Sequence, residues 1–132
     1  MLNDSKIQAL FDELKINEAG TGNIGINETL KGYFYGISKA DYGVGITTMY
    51  TDKKILFHVV GPDEPPITLV AYPHEIQNVE IKKGWIFFCF SFEFQEGHTL
   101  ELKACKKTFG FKQQSKYLSE LTENIRHYYI AK

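Results

Sequence analysis

Hydrophobic positions follow two different rhythms along this chain. Between Asp4 and Lys15, Ile7, Leu10, Phe11 and Leu14 fall at i, i+3, i+4 and i+7, which predicts an amphipathic helix with one apolar face. Asp4 suits its N-cap, and Ser5 with Gln8 offers a second capping arrangement. After Ile16 the stretch NEAGTGNIGIN is polar and glycine-rich, so it reads as a connector. From Thr29 onward the period becomes two. ETLKGYFYGIS, VGITTMYT, KILFHVV, ITLVAY, NVEIKK, WIFFCFSFEF and TLELKAC are short runs of β-branched and aromatic residues, separated by ADYG, TDKK, GPDEPP, PHE, KKG and QEGH. Seven strands with no helices between them predict an antiparallel sheet curled on itself rather than βαβ units. From about Lys112 to Ile130 the helical period returns, with Tyr117, Leu118, Leu121, Ile125, Tyr128 and Tyr129 as its apolar stripe.

Two hairpins carry enough pattern to predict a register. A two-residue turn at Asp52-Lys53 pairs Tyr50 with Ile55 and puts Ile46, Thr48 and Tyr50 on the same face as Ile55, Phe57 and Val59. In the hairpin after Trp85, Ile86, Phe88, Phe90, Phe92 and Phe94 point one way. Leu100, Leu102 and Ala104 join them if Phe94 faces Leu100 across a loop of Glu96, Gly97 and His98, with Gly97 in the left-handed region. That register sets Cys89 opposite Cys105, on the face away from the phenylalanines. In a reducing compartment the pair is expected as two free thiols.

Composition narrows the function classes. The 132 residues are 43% hydrophobic and 14% aromatic, sufficient for a single domain with a core that needs no metal or cross-link. Residues 1–27 form the leading helix and connector, and residues 28–132 the main domain. Fifteen basic residues balance sixteen acidic ones, and only Arg126 is an arginine, so a nucleic-acid footprint is not expected. No signal peptide or run of 18 apolar residues is present, which points to the cytoplasm.

Candidate chemistry is sparse. Gly20 to Gly25 spell GTGNIG, the dinucleotide-binding pattern, but a helix precedes it and a strand follows. The pyrophosphate cradle needs a strand before and a helix after, so no nucleotide is expected there. His58, His74, His98 and His127 are scattered over different elements, and no pair has zinc-ligand spacing. His74-Glu75 in YPHEI follows a proline and reads as a single helical turn. Neither cysteine belongs to a C-x-x-C, and nothing local activates a nucleophile. Neither metal, cofactor nor enzymatic activity is expected.

VGITTMYTDKKILF resembles the hallmark of bacterial pleckstrin-homology-like domains: a strand ending in Thr, a tight charged turn, and a strand opening on large apolar residues. ITLVAYPHEIQNVEIKKG, the hairpin WIFFCFSFEFQEGHTLELKAC and the terminal helix are similar to the rest of that pattern over roughly residues 30 to 130, closest to the YokE-like type. The resemblance implies a mainly β fold: a seven-stranded, strongly bent antiparallel barrel capped by the C-terminal helix, with the N-terminal helix as an addition. It also implies binding without catalysis. The expectation is a non-enzymatic module acting through protein-protein contact or self-association, with Phe87 and Cys89 as interaction surface. The alternative is a membrane-surface or lipid-headgroup binder using Lys31, Lys39, Lys53 and Lys54. Phosphoinositide-binding relatives carry several basic residues around the first strand pair, whereas the turn here, Ser38 to Tyr42, holds one lysine and one aspartate.

Overall fold

The computed structural model describes residues 2–15, 24–25 and 27–128, with residue 128 described by its backbone alone. Helix α1 (Asp4–Glu13) precedes seven strands: β1 (Gly32–Ser38), β2 (Gly45–Tyr50), β3 (Ile55–Val60), β4 (Ile67–Ala71), β5 (Ile76–Lys83), β6 (Phe87–Phe94) and β7 (Thr99–Cys105). Helix α2 (Gln114–Tyr128) follows. All pairings are antiparallel, and the strands form one open sheet in the order β4-β3-β2-β1-β7-β6-β5. The expected mainly β fold with flanking helices is the one observed.

The sheet bends hard. Phe57 on β3 and Phe92 on β6 are four strand steps apart, which would separate them by roughly 19 Å in a flat sheet. Their ring centroids lie 5.1 Å apart, so the two halves face each other across a shared core. The bend runs between β1 and β7, where pairing is limited to Ile37↔Lys103 and Ser38↔Leu102. There the backbones approach so closely that a Cβ on Gly36 would sit 2.9 Å from the Lys103 carbonyl oxygen. The concave face holds Phe34, Ile46, Phe57, Phe88, Phe90 and Phe92, and α2 lays Leu118, Leu121 and Ile125 onto it, each fully buried. Leu118, Leu121 and Ile125 therefore make the final helix the cap that the resemblance implied, while the Tyr128 side chain and Tyr129, also counted in its stripe, lie outside the described residues.

The first hairpin follows the sequence pattern: Tyr50 pairs with Ile55, Ile46 with Val59, and the Thr51 N–H donates to Lys54 C=O across the Asp52-Lys53 turn. The β6–β7 hairpin corrects it. Phe92, not Phe94, faces Leu100, and Cys89 lies opposite Lys103 while Cys105 lies opposite Phe87. The loop does have three residues, but they are Gln95, Glu96 and Gly97, closed by Gly97 N–H to Phe94 C=O and Phe94 N–H to His98 C=O. A type I turn takes its left-handed residue in the third loop position, and Gly97 (φ 92°) occupies it there rather than in the middle. The correction is a slip of two residues, so every side chain keeps its face. Both cysteines are half-buried free thiols on the outer surface, diagonal rather than opposed.

Helix α1 packs on the opposite, convex face. Ile7 and Phe11 are fully buried there with Met49, Leu56 and Phe111, flanked by Tyr33, Tyr35 and Val70. Strand β2 is consequently buried on both faces. Asn3, rather than Asp4, is the N-cap, accepting from Ser5 N–H at 3.1 Å. Asp4 instead ties the helix down: its carboxylate accepts from the Tyr33 hydroxyl (2.6 Å) and the Lys112 N–H (2.8 Å). Burial raises the Tyr33 pKa above that of an ordinary phenol, and the Asp4 carboxylate, which accepts the hydroxyl's hydrogen bond and carries negative charge, raises it further.

Where β1 and β7 splay apart, α2 supplies the missing partner. Continuing the Ile37↔Lys103 register by two residues would set Tyr35 opposite Cys105, but the Gln114 side chain lies between them. Its Oε1 accepts from Tyr35 N–H (2.9 Å), while Nε2 donates to Tyr35 C=O (2.6 Å) and Cys105 C=O (3.0 Å). A primary amide, 1% exposed, stands in for a peptide group of the ladder.

Candidate functional site

The four lysines suggested by sequence do not form one site. Lys31 and Lys53 are exposed at the end of the sheet where the β2–β3 turn lies, while Lys39 follows β1 at its other end, a strand length away. Lys54 is 5% exposed and its ammonium pairs with Glu28 at 2.8 Å, so it faces inward rather than toward an external headgroup. The pair closes part of the connector. Glu28 also accepts from Gly25 N–H (2.8 Å) and the Thr51 hydroxyl (2.9 Å). Burial alone would push the Glu28 carboxyl up, but Lys54, Gly25 and Thr51 outweigh it and hold its pKa below the usual carboxylate value.

That arrangement bears on the glycine motif. Residues 20–23 lie outside the described residues, but the motif's last glycine is described, and its amide is occupied by a carboxylate of the same chain. Ile24 is buried beneath α1, its N–H bonded to Leu14 C=O. An anion at Gly25 would have to displace Glu28 and meet its charge.

Reactive groups stay dispersed. Among the described residues no three His, Cys, Asp or Glu side chains gather as a metal site. His58 is half-buried beside Thr68 (3.3 Å), and desolvation lowers its pKa. His74 stacks on Tyr72 within a single 3-10 turn, Pro73–Glu75, where the Glu75 carboxylate accepts from Tyr72 N–H at 3.0 Å. That is the helical-turn role its sequence context suggested.

A surface that sequence reading underweighted lies at the β5–β6 turn. The outward row beside this turn contains Phe87, with Lys103 Nζ 3.8 Å from its ring centroid, and Cys89 beside it. Both expected surface residues thus line one shallow groove of about 460 Å³, whose rim is Lys82, Lys83 and Trp85. Trp85 is 98% exposed and Ile86 65%. Ile86 has the parity of the phenylalanine ladder but falls before the first residue of β6, beyond the reach of the core. The Ile86 carbonyl accepts from Lys106 N–H at 2.8 Å, which binds this turn to the β7–α2 connection. There Phe109, 91% exposed, projects from a turn bounded by the Thr108–Phe111 bridge. Two loops therefore leave the same end of the sheet side by side, each with an aromatic at its tip. The sequence signal was present: Lys-Lys-Gly-Trp puts a tryptophan on a turn, where neither strand face can cover it.

No helix of the described residues is long and apolar enough to cross a membrane. Neither a protein-family model nor a curated protein matches this sequence.

Proposed function

We propose that this protein is a non-enzymatic binding module that acts in the cytoplasm by contact through the end carrying Trp85, Ile86 and Phe109. In this reading it is a pleckstrin-homology-like domain of the YokE-like type, an assignment supported by the seven-stranded antiparallel order and the capping terminal helix. The observation that carries the functional reading is the 98% exposure of Trp85 on a turn that joins the paired strands β5 and β6 and is bonded to Lys106 N–H. Water solvates an indole poorly, and tryptophan is enriched where proteins meet partners or membranes. Protein contact, self-association and membrane attachment all work without a reaction centre, and each uses such a projection.

The test is photocrosslinking in cells with a photoreactive residue at position 85 or 109, and with a control at position 96 at the far end of β6. Adducts, to protein or lipid, are expected from 85 and 109 and not from 96. Equal yields at all three positions, or none at 85 and 109, would refute the assignment of this end.

A further inference from the structure

We infer that the partner of this end is an anionic membrane surface, with Trp85, Ile86 and Phe109 entering the headgroup layer and a collar of lysines facing the lipid charges. The inference rests on the binding-module reading and adds the chemistry of the partner.

Charge is the first observation. The segments that build this end, residues 81–92 and 102–119, contain no aspartate or glutamate. At the end itself they hold Lys82 and Lys83 beside Trp85, Lys103 at the groove, Lys106 with its ammonium 5.5 Å from the Phe88 ring centroid, and Lys107 and Lys112 on either side of Phe109, while Lys116 lies further along α2. None of these six ammonium groups lies within ion-pairing distance of a carboxylate among the described residues. Asp4, the carboxylate that reaches this end from α1, has its two oxygens bonded to Tyr33 and Lys112 N–H. The near-neutral chain thus concentrates positive charge where it also exposes its largest apolar side chains.

Orientation is the second. On the outer face of β5-β6-β7, Lys82, Cys89 and Lys103 form one cross-strand row, and Glu80, Ser91 and Glu101 form the next row away from the tip. Positive charge faces the tip, and behind it the two carboxylates outnumber the one lysine beside them, Lys39. An anionic plane would attract the tip and repel the rows behind, which holds the molecule end-on.

The shape and the kind of cation separate a bilayer from other polyanionic or protein partners. The apolar groups stand on two projecting turns rather than lining a deep pocket, so they suit a medium they can penetrate. All six cations are lysines, point charges on flexible stems, which match a diffuse layer of headgroups. The chain's one arginine, Arg126, is bonded to Val79 C=O, so no planar fork is offered for bidentate reading of a phosphopeptide or a base. Tryptophan with lysine is the pairing that settles at the membrane–water interface.

Trp85 is the only tryptophan, so its fluorescence reports on the site without a label. The full chain is mixed with phosphatidylcholine vesicles with and without phosphatidylserine, and sedimentation and emission are followed. Expected results are sedimentation that requires phosphatidylserine and falls with salt, a shift of Trp85 emission to shorter wavelength, and quenching by brominated acyl chains. Lys82→Ala and Lys83→Ala should each weaken partitioning about fivefold. Phe109→Ala, which leaves the reporter in place, should weaken it by about tenfold. Urea unfolding of each variant confirms that the fold is intact. Absence of sedimentation with phosphatidylserine at low salt would overturn the inference, as would sedimentation with unshifted emission or binding to duplex DNA but not to vesicles. If vesicles fail while position 85 still crosslinks to a protein, the membrane inference falls and the binding-module reading stands. If both fail, both fall.

Discussion

Replacing Gln114 with Met tests whether a side-chain amide completes the sheet at its bend. Methionine keeps the length and apolar body of glutamine but removes both hydrogen-bonding groups. The Tyr35 N–H and C=O would then lose their Gln114 partner, in a place where α2 excludes water. A buried peptide group left without a partner costs about 1–3 kcal/mol, so two cost roughly 2–6 kcal/mol. The third backbone group, Cys105 C=O, keeps its contact from the Thr108 hydroxyl at 3.3 Å and adds little. The expected loss in urea unfolding is about 3–5 kcal/mol, a large share of a typical domain's total stability. Gln114→Glu sharpens the test. At neutral pH the introduced carboxylate could accept from Tyr35 N–H, but its other oxygen would face two carbonyl oxygens. Burial and those oxygens would raise its folded-state pKa, so this variant should gain stability relative to wild type as pH falls and the group becomes a donor. A Gln114→Met loss under about 1 kcal/mol, or a Gln114→Glu variant with no relative gain at low pH, would refute the idea that the amide acts as a ladder group.

Leu121→Ala removes a fully buried side chain packed with the concave-face aromatics, and a loss of about 2–5 kcal/mol in chemical denaturation is expected. Less than about 1 kcal/mol would mean that the cap contributes little. Glu28→Gln leaves the Lys54 charge buried without its carboxylate and should cost about 3–5 kcal/mol, most of it recovered when Lys54 is also replaced by Met. In the wild type the Glu28 pKa is depressed by folding. Its contribution is therefore fully present above the ordinary carboxylate pKa and is lost as pH falls through the lowered folded value. A stability difference between wild type and Glu28→Gln that stays flat from neutral pH down through that range would contradict this.

The sequence by itself determined the elements and their faces. Seven alternating runs became seven strands, and the spacing of Ile7 with Phe11 and of Leu118, Leu121 and Ile125 became the buried stripes of two helices. Periodicity is local, because successive side chains along a strand or helix must point in set directions. Even the misplaced β6–β7 register kept its faces, since it slipped by an even number. The N-terminal helix showed its apolar stripe in sequence, but that the stripe would cover the convex face under β2 and β3 did not follow from spacing. Lys54 looked like a surface cation and Gln114 like a polar residue at a helix start. One is buried against Glu28, 26 positions away, and the other replaces a rung between strands 70 residues apart in the chain. The candidate site divides in the same way. Phe87 and Cys89 were legible as an outward row of β6, whereas the placement of the Trp85 and Phe109 turns at one end of the sheet depends on the pairing of β6 with β7 and on the Lys106 N–H that donates to Ile86 C=O. Those outcomes belong to the tertiary structure because burial and pairing are set by residues distant in the chain, and no local pattern encodes which distant group will arrive.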